Sequence, residues 1–116
     1  MTDSELKADL IAALNGPTIA YVSKDVDEMK HLDRLRADIR QAMCEPFWLT
    51  ATVQEPGFPF ATVGETISGY CLAKRDSGYW LVFDPSRATY YAFWGQQEDN
   101  LGAHGVYGDP VYCWSA

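Results

Sequence analysis

The nucleophilic side chains of this sequence are three cysteines, Cys44, Cys71 and Cys113. A catalytic thiol needs a nearby histidine or another cation that lowers its pKa. Cys44 lies at the C-terminal end of a predicted helix and precedes Glu45, so the negative helix end and the carboxylate should both raise its pKa. The other two cysteines lie in predicted strands among apolar neighbours, where thiols are inert. This pattern argues against a cysteine hydrolase and indicates reduced thiols in a cytoplasmic protein.

Two histidines are the other residues that could bind a metal or act as bases. His31 lies between charged residues of a predicted helix, and His104 lies in the glycine-rich loop LGAHGVYG. Neither has a second histidine at ligand spacing, and the sequence contains no CxxC pair. We therefore interpret both as surface residues and predict no metal and no cofactor.

Paired carboxylates could perform the acid–base chemistry of glycosidases. Glu98 and Asp99 are adjacent in the polar run QQEDN, whereas Asp84 and Asp109 each precede a proline, which is common at the start of a turn. The sequence has no glycine-rich nucleotide-binding motif and no G-x-S-x-G motif. These observations predict a protein that is not an enzyme.

Charge and hydropathy restrict the partners that the protein can have. Nine lysines and arginines against sixteen carboxylates give a formal net charge of -7. Because phosphate backbones are bound by basic side chains, we predict no nucleic-acid partner. No stretch reaches the roughly 20 apolar residues that span a bilayer, and the polar start MTDSELKADL is unlike a signal peptide. The sequence thus predicts a cytoplasmic protein with no membrane partner, whose acidic surface favours a basic protein partner.

The first element that the sequence predicts is an N-terminal helix. Thr2 and Glu5 have the spacing of a capping box, and Gly16-Pro17 ends the helix. Its apolar face is formed by Leu6, Leu10, Ile11 and Leu14. Residues 18–22 are β-prone and predict an extended connector or an edge strand.

A second helix is predicted to begin near Ser23 or Asp25, to run for about 18 residues and to end before Pro46. Charged residues alternate with an apolar stripe in this segment, as on a helix with one solvated face. The stripe consists of Val26, Met29, Leu32, Leu35, Ile39 and Met43.

After Pro46 the hydrophobic period changes to two, which is typical of strands. Strands are predicted at residues 47–54, 58–63, 66–73, 79–83, 88–94 and 111–114, with turns at 56–57, 74–78 and 84–87. Helices followed by strands indicate an α+β fold. We therefore predict one domain, residues 1–116, in which two N-terminal helices pack on one face of an antiparallel meander of five to six strands.

Large aromatic side chains are concentrated in the predicted strands at 79–83 and 88–94. Alternation places rings on both faces of these strands, whereas helices cover only one face of an antiparallel sheet. We therefore expect some rings near the surface, where tryptophan and tyrosine act as interface anchors. Cross-strand pairing, or closure of the sheet around a second core, is the alternative use of these rings. The predicted partner-binding residues are Trp80, Tyr90, Tyr91, Phe93, Trp94, Glu98 and Asp99.

The stretch GYCLAKRDSGYWLVFDPSRATYYAFWG, residues 69–95, resembles the aromatic-rich sheet of bacterial toxin-immunity proteins and is loosely similar to SMI1/KNR4-like immunity domains. In those domains helices precede the sheet. The resemblance implies a dedicated inhibitor that neutralises a toxin by binding it.

We therefore expect a non-enzymatic inhibitor of the immunity type, which binds a basic toxin or effector through an acidic, aromatic-rich surface. One alternative is a phage-encoded inhibitor of the anti-CRISPR type, whose acidity mimics a polynucleotide. Another is a small-molecule-binding or enzymatic domain with an aromatic-lined pocket, in which His104 and Tyr107 supply polar groups. The sequence leaves the oligomeric state open.

Overall fold

The computed structural model describes residues 1–16 and 27–116. Within these ranges two helices precede five strands, and a third helix follows them. The structure is α+β with an antiparallel sheet, as the sequence predicts. The elements are α1 Asp3–Leu14, α2 Glu28–Ala42, β1 Met43–Val53, β2 Thr66–Arg75, β3 Tyr79–Asp84, β4 Thr89–Trp94, β5 Gly102–Gly108 and α3 Pro110–Ser115.

Helix α1 begins with the predicted capping box. The Thr2 hydroxyl accepts a hydrogen bond from the Glu5 amide, and the Glu5 carboxylate accepts one from the Thr2 amide. Ile11 was predicted on the apolar face but is 43% exposed, because the buried stripe is confined to positions four residues apart. The buried side chains of this helix are Leu6, Leu10 and Leu14. The predicted extended segment at 18–22 lies outside the described residues.

Helix α2 begins at Glu28, where the Asp27 carboxylate accepts a hydrogen bond from the Lys30 amide. The predicted start at residues 23–25 and Val26 of the predicted stripe lie outside the described residues. Met29 is 66% exposed, and Met43 belongs to β1 because the helix ends at Ala42. The stripe residues that are buried are Leu32, Leu35 and Ile39.

The five strands close into a barrel in the order β1-β2-β3-β4-β5. Successive strands are antiparallel, and β5 returns to β1 in a parallel pairing of Thr52 with Gly102 and Val53 with Ala103. The prediction of two N-terminal helices packed on one face of an antiparallel meander is therefore only partly right. The sheet closes on itself, and the helical cover is divided between helices that precede and follow the sheet.

The predicted strand at residues 58–63 is not formed. Only an isolated bridge joins Phe58 and Ala61, and the rest of this connection is turn. Pro59 has no amide hydrogen to donate to a ladder, and Gly57 has a φ of 78°, which an extended strand does not allow. Proline and glycine thus override the apolar alternation of this segment.

The predicted strand at residues 111–114 is the helix α3. The Asp109 carboxylate accepts hydrogen bonds from the amides of Val111 and Tyr112, and Pro110 occupies the first turn, where its missing amide costs nothing. The fifth strand is instead the glycine-rich segment Gly102–Gly108, which the sequence left without regular structure.

Closure gives the sheet two apolar cores. The barrel interior contains residues from every strand, namely Leu49, Ala51, Val53, Ile67, Cys71, Trp80, Val82, Tyr91, Phe93 and Ala103, with Phe58, Ala61 and Leu101 from connections. The outer core lies between the three helices and β2, β3 and β4, and its largest strand residues are Leu72, Tyr79, Leu81, Phe83 and Tyr90. Both faces of β3 are therefore buried along its whole length.

Hydrogen bonds to one carboxylate connect α3 and β2 with α2. The Trp114 indole Nε1 donates to Asp38 Oδ2 at 2.7 Å, and Arg75 Nη2 donates to the same oxygen at 3.1 Å. The Arg75 guanidinium also lies 4.0 Å from the centre of the Trp114 ring. These donors, first the indole and then the guanidinium, lower the pKa of Asp38. One carboxylate on α2 thus joins three elements.

The turn between β3 and β4 is organised by Asp84, the buried polar residue of the described core. Its carboxylate accepts hydrogen bonds from the Ser86 amide and hydroxyl, from Arg87 Nη1 at 3.0 Å and from the Tyr91 hydroxyl at 2.6 Å. Burial raises the pKa of Asp84, but these donors outweigh burial, so the pKa lies below its usual value. The prediction that Asp84 caps this turn is confirmed.

Asp84→Asn should lower the free energy of unfolding by about 2–3 kcal/mol, because an amide is a weaker acceptor for four donors than a carboxylate. Since the folded pKa is depressed, the stabilisation is present above the unfolded pKa near 4 and is lost as pH falls through the folded pKa. The difference between the native protein and the variant in urea unfolding should therefore shrink below about pH 4. Asp76→Asn, at an exposed turn, is the control and should have no effect. A pH-independent difference would contradict the assignment.

Candidate protein-binding surface

Four of the predicted partner-binding rings are core residues. Trp80 and Tyr90 are each 7% exposed, and Tyr91 and Phe93 are fully buried. The expectation that these rings lie at the surface is wrong, because the closed barrel encloses one face of β3 and β4 and the helices cover the other. The alternative stated from the sequence was that these rings fill a second core, and the fold uses them in this way.

Trp94, the fifth predicted ring, is half-buried and lies at the end of β4. Its ring meets Tyr79 edge-on at 5.2 Å and His104 at 5.3 Å between ring centres. These contacts hold it against the barrel, with only part of its surface in solvent. Trp94 is thus a boundary residue and not the centre of an exposed patch.

The most exposed tryptophan is Trp48, with 55% of its surface accessible. It lies on β1, where Leu49, Ala51 and Val53 point into the barrel and the residues between them point out. Directly opposite on β2 is Tyr70, whose ring meets the Trp48 ring edge-on at 4.9 Å. Sequence alternation had placed Trp48 opposite the apolar face of β1, but its neighbours gave no sign that this face is uncovered.

A groove of about 430 Å³ runs beside Trp48. One wall is β1 from Trp48 to Thr52, and the other is the segment from Glu98 to Leu101 that precedes β5. The structure therefore brings the predicted acidic residues Glu98 and Asp99 together with an exposed ring, although the ring is Trp48 and not one of those predicted. We call this the acidic groove.

The acidic groove exists because β1 and β5 meet only at one end. The Thr52 amide donates to the Leu101 carbonyl at 2.9 Å, and the Gln54 amide donates to the Ala103 carbonyl at 2.8 Å. Earlier in β1, residues 47–51 pair with β2 on one side and have no second strand partner within the described part of the chain. The backbone of β1 thus lines the groove.

Charge makes the acidic groove distinctive. Glu98 and Asp99 are exposed, and neither forms an ion pair in the ranges that the structure describes. The molecule as a whole carries a formal charge of -7. Two free carboxylates beside an indole ring form a suitable environment for a cationic side chain.

A second groove, of about 450 Å³, lies on the other side of Trp48. Its lining includes Tyr70 and Ser68 of β2 and the β3–β4 turn from Asp84 to Arg87. Thr50 and Ser68 share a hydroxyl–hydroxyl hydrogen bond of 2.6 Å on the strip between the two grooves. Trp48 therefore lines both depressions and separates them.

His104 and Tyr107, the polar groups of the predicted small-molecule pocket, lie elsewhere. His104 is exposed against Trp94, and Tyr107 packs at 5.9 Å from Phe58 and 5.5 Å from Phe60 between ring centres. Neither of the two grooves beside Trp48 includes them. His104 and Tyr107 therefore line neither of the depressions beside Trp48.

The cysteines differ from their predicted settings. Cys44 lies on β1, not at the end of α2, and its pKa is lowered to about 7. The largest cause is a hydrogen bond with the Cys71 thiol, which outweighs partial burial, and the charge of Lys74 adds to it. Glu45 raises the pKa of Cys44, as predicted, but the contact with Cys71 and the charge of Lys74 outweigh it, so the predicted net increase is wrong. Cys113 lies on α3 and not on a strand, where burial raises its pKa.

Across residues 1–16 and 27–116, no cluster of three or more His, Cys, Asp or Glu side chains could hold a metal ion. No helix in the same ranges is long and apolar enough to cross a membrane. The chain matches no known family, and no curated protein and no solved structure matches it.

Trp48→Ala should change the free energy of unfolding by no more than about 1 kcal/mol, because the ring is mostly in solvent. Tyr91→Ala should cost about 3–5 kcal/mol, because it leaves a cavity in the barrel interior and removes a donor to Asp84. Urea unfolding followed by circular dichroism measures both. Similar losses for the two variants would mean that Trp48 is as much a packing residue as Tyr91.

Proposed function

We propose that the protein is a non-enzymatic inhibitor of the immunity type, which neutralises a basic toxin or effector protein. The observation that carries the proposal is the acidic groove, where exposed Trp48 faces the free carboxylates Glu98 and Asp99. An inhibitor of this kind needs a surface, not a catalytic group, and the surface must recognise positive charge.

Trp48 has the properties of an interface anchor. A rigid indole buries a large area at low cost in conformational entropy, and such residues dominate the binding energy of many interfaces. Its edge-on contact with Tyr70 already limits its motion. A partner that covers this ring would therefore remove apolar surface from water without ordering a flexible side chain.

The two carboxylates define the partner's charge. A lysine or arginine in the acidic groove would lie against the indole face and within reach of Glu98 or Asp99, which combines a cation–π contact with an ion pair. The pervasive negative charge of the molecule would speed the encounter with such a partner. A basic protein is thus the partner whose chemistry fits this surface.

The backbone of β1 offers a third element of recognition. Because residues 47–51 have a strand neighbour on one side only among the described residues, an extended segment of the partner could align with this edge. Strand addition of this kind supplies main-chain hydrogen bonds, while side-chain contacts supply the specificity. In this arrangement the partner's basic side chains reach the acidic wall of the groove.

The proposal is tested by affinity capture from the native host with four immobilised proteins. These are the native protein, Trp48→Ala, the double variant Glu98→Gln/Asp99→Asn, and the matched charge control Glu55→Gln/Asp76→Asn. The native protein and the control should retain a partner from the lysate. The Trp48 variant and the Glu98/Asp99 variant should retain much less of it. It is then purified, and its toxicity or enzymatic activity is measured with increasing amounts of each variant.

We expect the native protein to abolish the partner's activity near equimolar ratio, with affinity reduced at least about tenfold by Trp48→Ala, equivalent to about 1.4 kcal/mol. The charge variant should mainly slow association and weaken its salt dependence. A partner that all four proteins retain equally would contradict the proposal. A captured protein whose activity does not change when the native protein is added would also contradict it. A captured nucleic-acid-binding machine would favour the polynucleotide-mimic alternative.

A further inference from the structure

Two cysteines, Cys44 and Cys71, lie close together on the neighbouring strands β1 and β2, and neither lines the acidic groove. Cys71 lies on β2 and is fully buried in the interior core, whereas Cys44 lies on β1 and is only partly buried against that core. The Cys44 Sγ lies 4.0 Å from the Cys71 carbonyl oxygen, and the Cys71 Sγ lies 3.4 Å from the Ala73 carbonyl oxygen. One thiol is thus accessible, and its neighbour is enclosed directly behind it.

An irregularity in the ladder brings the two side chains together. Met43 pairs with Ala73 and Phe47 pairs with Cys71, so residues 44–46 of β1 lie opposite Leu72 alone. Such a bulge turns side chains away from strict alternation. Cys44 therefore packs against the interior core beside Cys71, although neither residue is paired with the other in the register.

Positive charge lies above this pair. The Lys74 Nζ is 5.9 Å from the centre of the Phe47 ring and 5.8 Å from that of Trp80, two rings that meet edge-on. Glu45 is the acidic neighbour of Cys44 and forms a 2.6 Å ion pair with Lys7 of α1. Of the charged groups around Cys44, Lys74 favours its thiolate and Glu45 opposes it.

We propose that Cys44 and Cys71 form a redox-active dithiol, in which Cys44 reacts first with a peroxide and Cys71 then closes a disulfide across β1 and β2. The proposal is independent of the inhibitor function, because the pair is not part of the acidic groove. It assigns a reversible modification site to the irregular pairing between β1 and β2.

The chemistry needs a hydroperoxide as the oxidant. The Cys44 thiolate attacks one peroxide oxygen, so that an S–O bond forms and the O–O bond breaks. The leaving hydroxide or alkoxide takes up a proton and departs as water or as an alcohol. The Cys71 sulfur then attacks the Cys44 sulfenic acid, an S–S bond forms and the S–O bond breaks. The leaving hydroxide takes the Cys71 proton and departs as water. Two thiols lose two electrons, and one peroxide becomes two waters or a water and an alcohol.

The surroundings of each cysteine determine the role that it takes in this reaction. The hydrogen bond with Cys71, opposed by partial burial and helped by Lys74, lowers the pKa of Cys44 and favours its thiolate near neutral pH. The same contact and burial raise the pKa of Cys71, which is therefore a thiol when Cys44 is ionised. Cys113 is buried on α3, where its Sγ donates to the Tyr90 carbonyl at 3.5 Å, and it serves as an internal control.

The first test is alkylation of the folded, full-length protein with limiting iodoacetamide from pH 6 to pH 9, read by peptide mass spectrometry. Cys44 should react at least about tenfold faster than Cys71 and Cys113. The midpoint of its pH profile should lie below that of a free thiol. Lys74→Met and Cys71→Ala should each move that midpoint to higher pH. The control Arg34→Met, which removes a positive charge on α2, should leave the midpoint unchanged.

The second test exposes the native protein and Cys71→Ala to hydrogen peroxide in the presence of dimedone, which traps sulfenic acids. The native protein should yield the Cys44–Cys71 disulfide, reversible by dithiothreitol, with Cys113 unchanged. Cys71→Ala should yield dimedone-labelled Cys44 instead.

The proposal is overturned if Cys44 is alkylated no faster than Cys113, or if peroxide leaves both thiols unmodified. Disulfides that involve Cys113 or join two chains would also overturn it. A circular dichroism spectrum of Cys71→Ala that matches the native protein keeps these outcomes separate from unfolding.

Discussion

The barrel depends on one geometrical constraint, which is that an odd number of strands must close. In a meander each strand reverses the direction of the previous one, so the first and fifth strands run the same way. Closure therefore requires a parallel pairing, and here β1 and β5 meet only at Thr52 with Gly102 and Val53 with Ala103. Beyond these residues the strands diverge, and the acidic groove lies along the gap. The surface that we assign to partner binding is thus a direct result of how the sheet closes.

Closure also determines where the aromatic residues go. A closed sheet has an inside, and the large rings of β3 and β4 that point inward fill it, while those that point outward meet the helices. Trp80 and Tyr91 are separated from Tyr79 and Tyr90 by a single position along their strands, and yet the two pairs belong to different cores. The abundance of rings therefore reflects the volume of two cores more than the needs of an interface. The proposed binding surface consists of a few side chains around Trp48.

Local patterns predicted most elements and few of the long-range relations. The capping box of α1, the stripe of α2 and the alternation on β1 and β3 depend on neighbours in the chain, and these were recognised. The helix at 110–115 was missed because Val111, Tyr112 and Trp114 favour strands, whereas the cap at Asp109 and the packing of Trp114 favour a helix. Closure could not be derived, because it depends on Gly102 meeting Thr52 across fifty residues of sequence. The carboxylates Glu98 and Asp99 were predicted from a polar run, but the exposed ring that lines the same groove, Trp48, comes from another strand.

The position of Trp114 has a consequence for how the chain matures. Its side chain is 1% exposed and joins α3 to Asp38 and Arg75. A nascent chain on the ribosome has therefore synthesised all five strands before the side chain that completes their outer cover has emerged. Until then the outer faces of Tyr79, Leu81 and Tyr90 lack part of their cover, which is the situation in which chaperones bind a growing polypeptide.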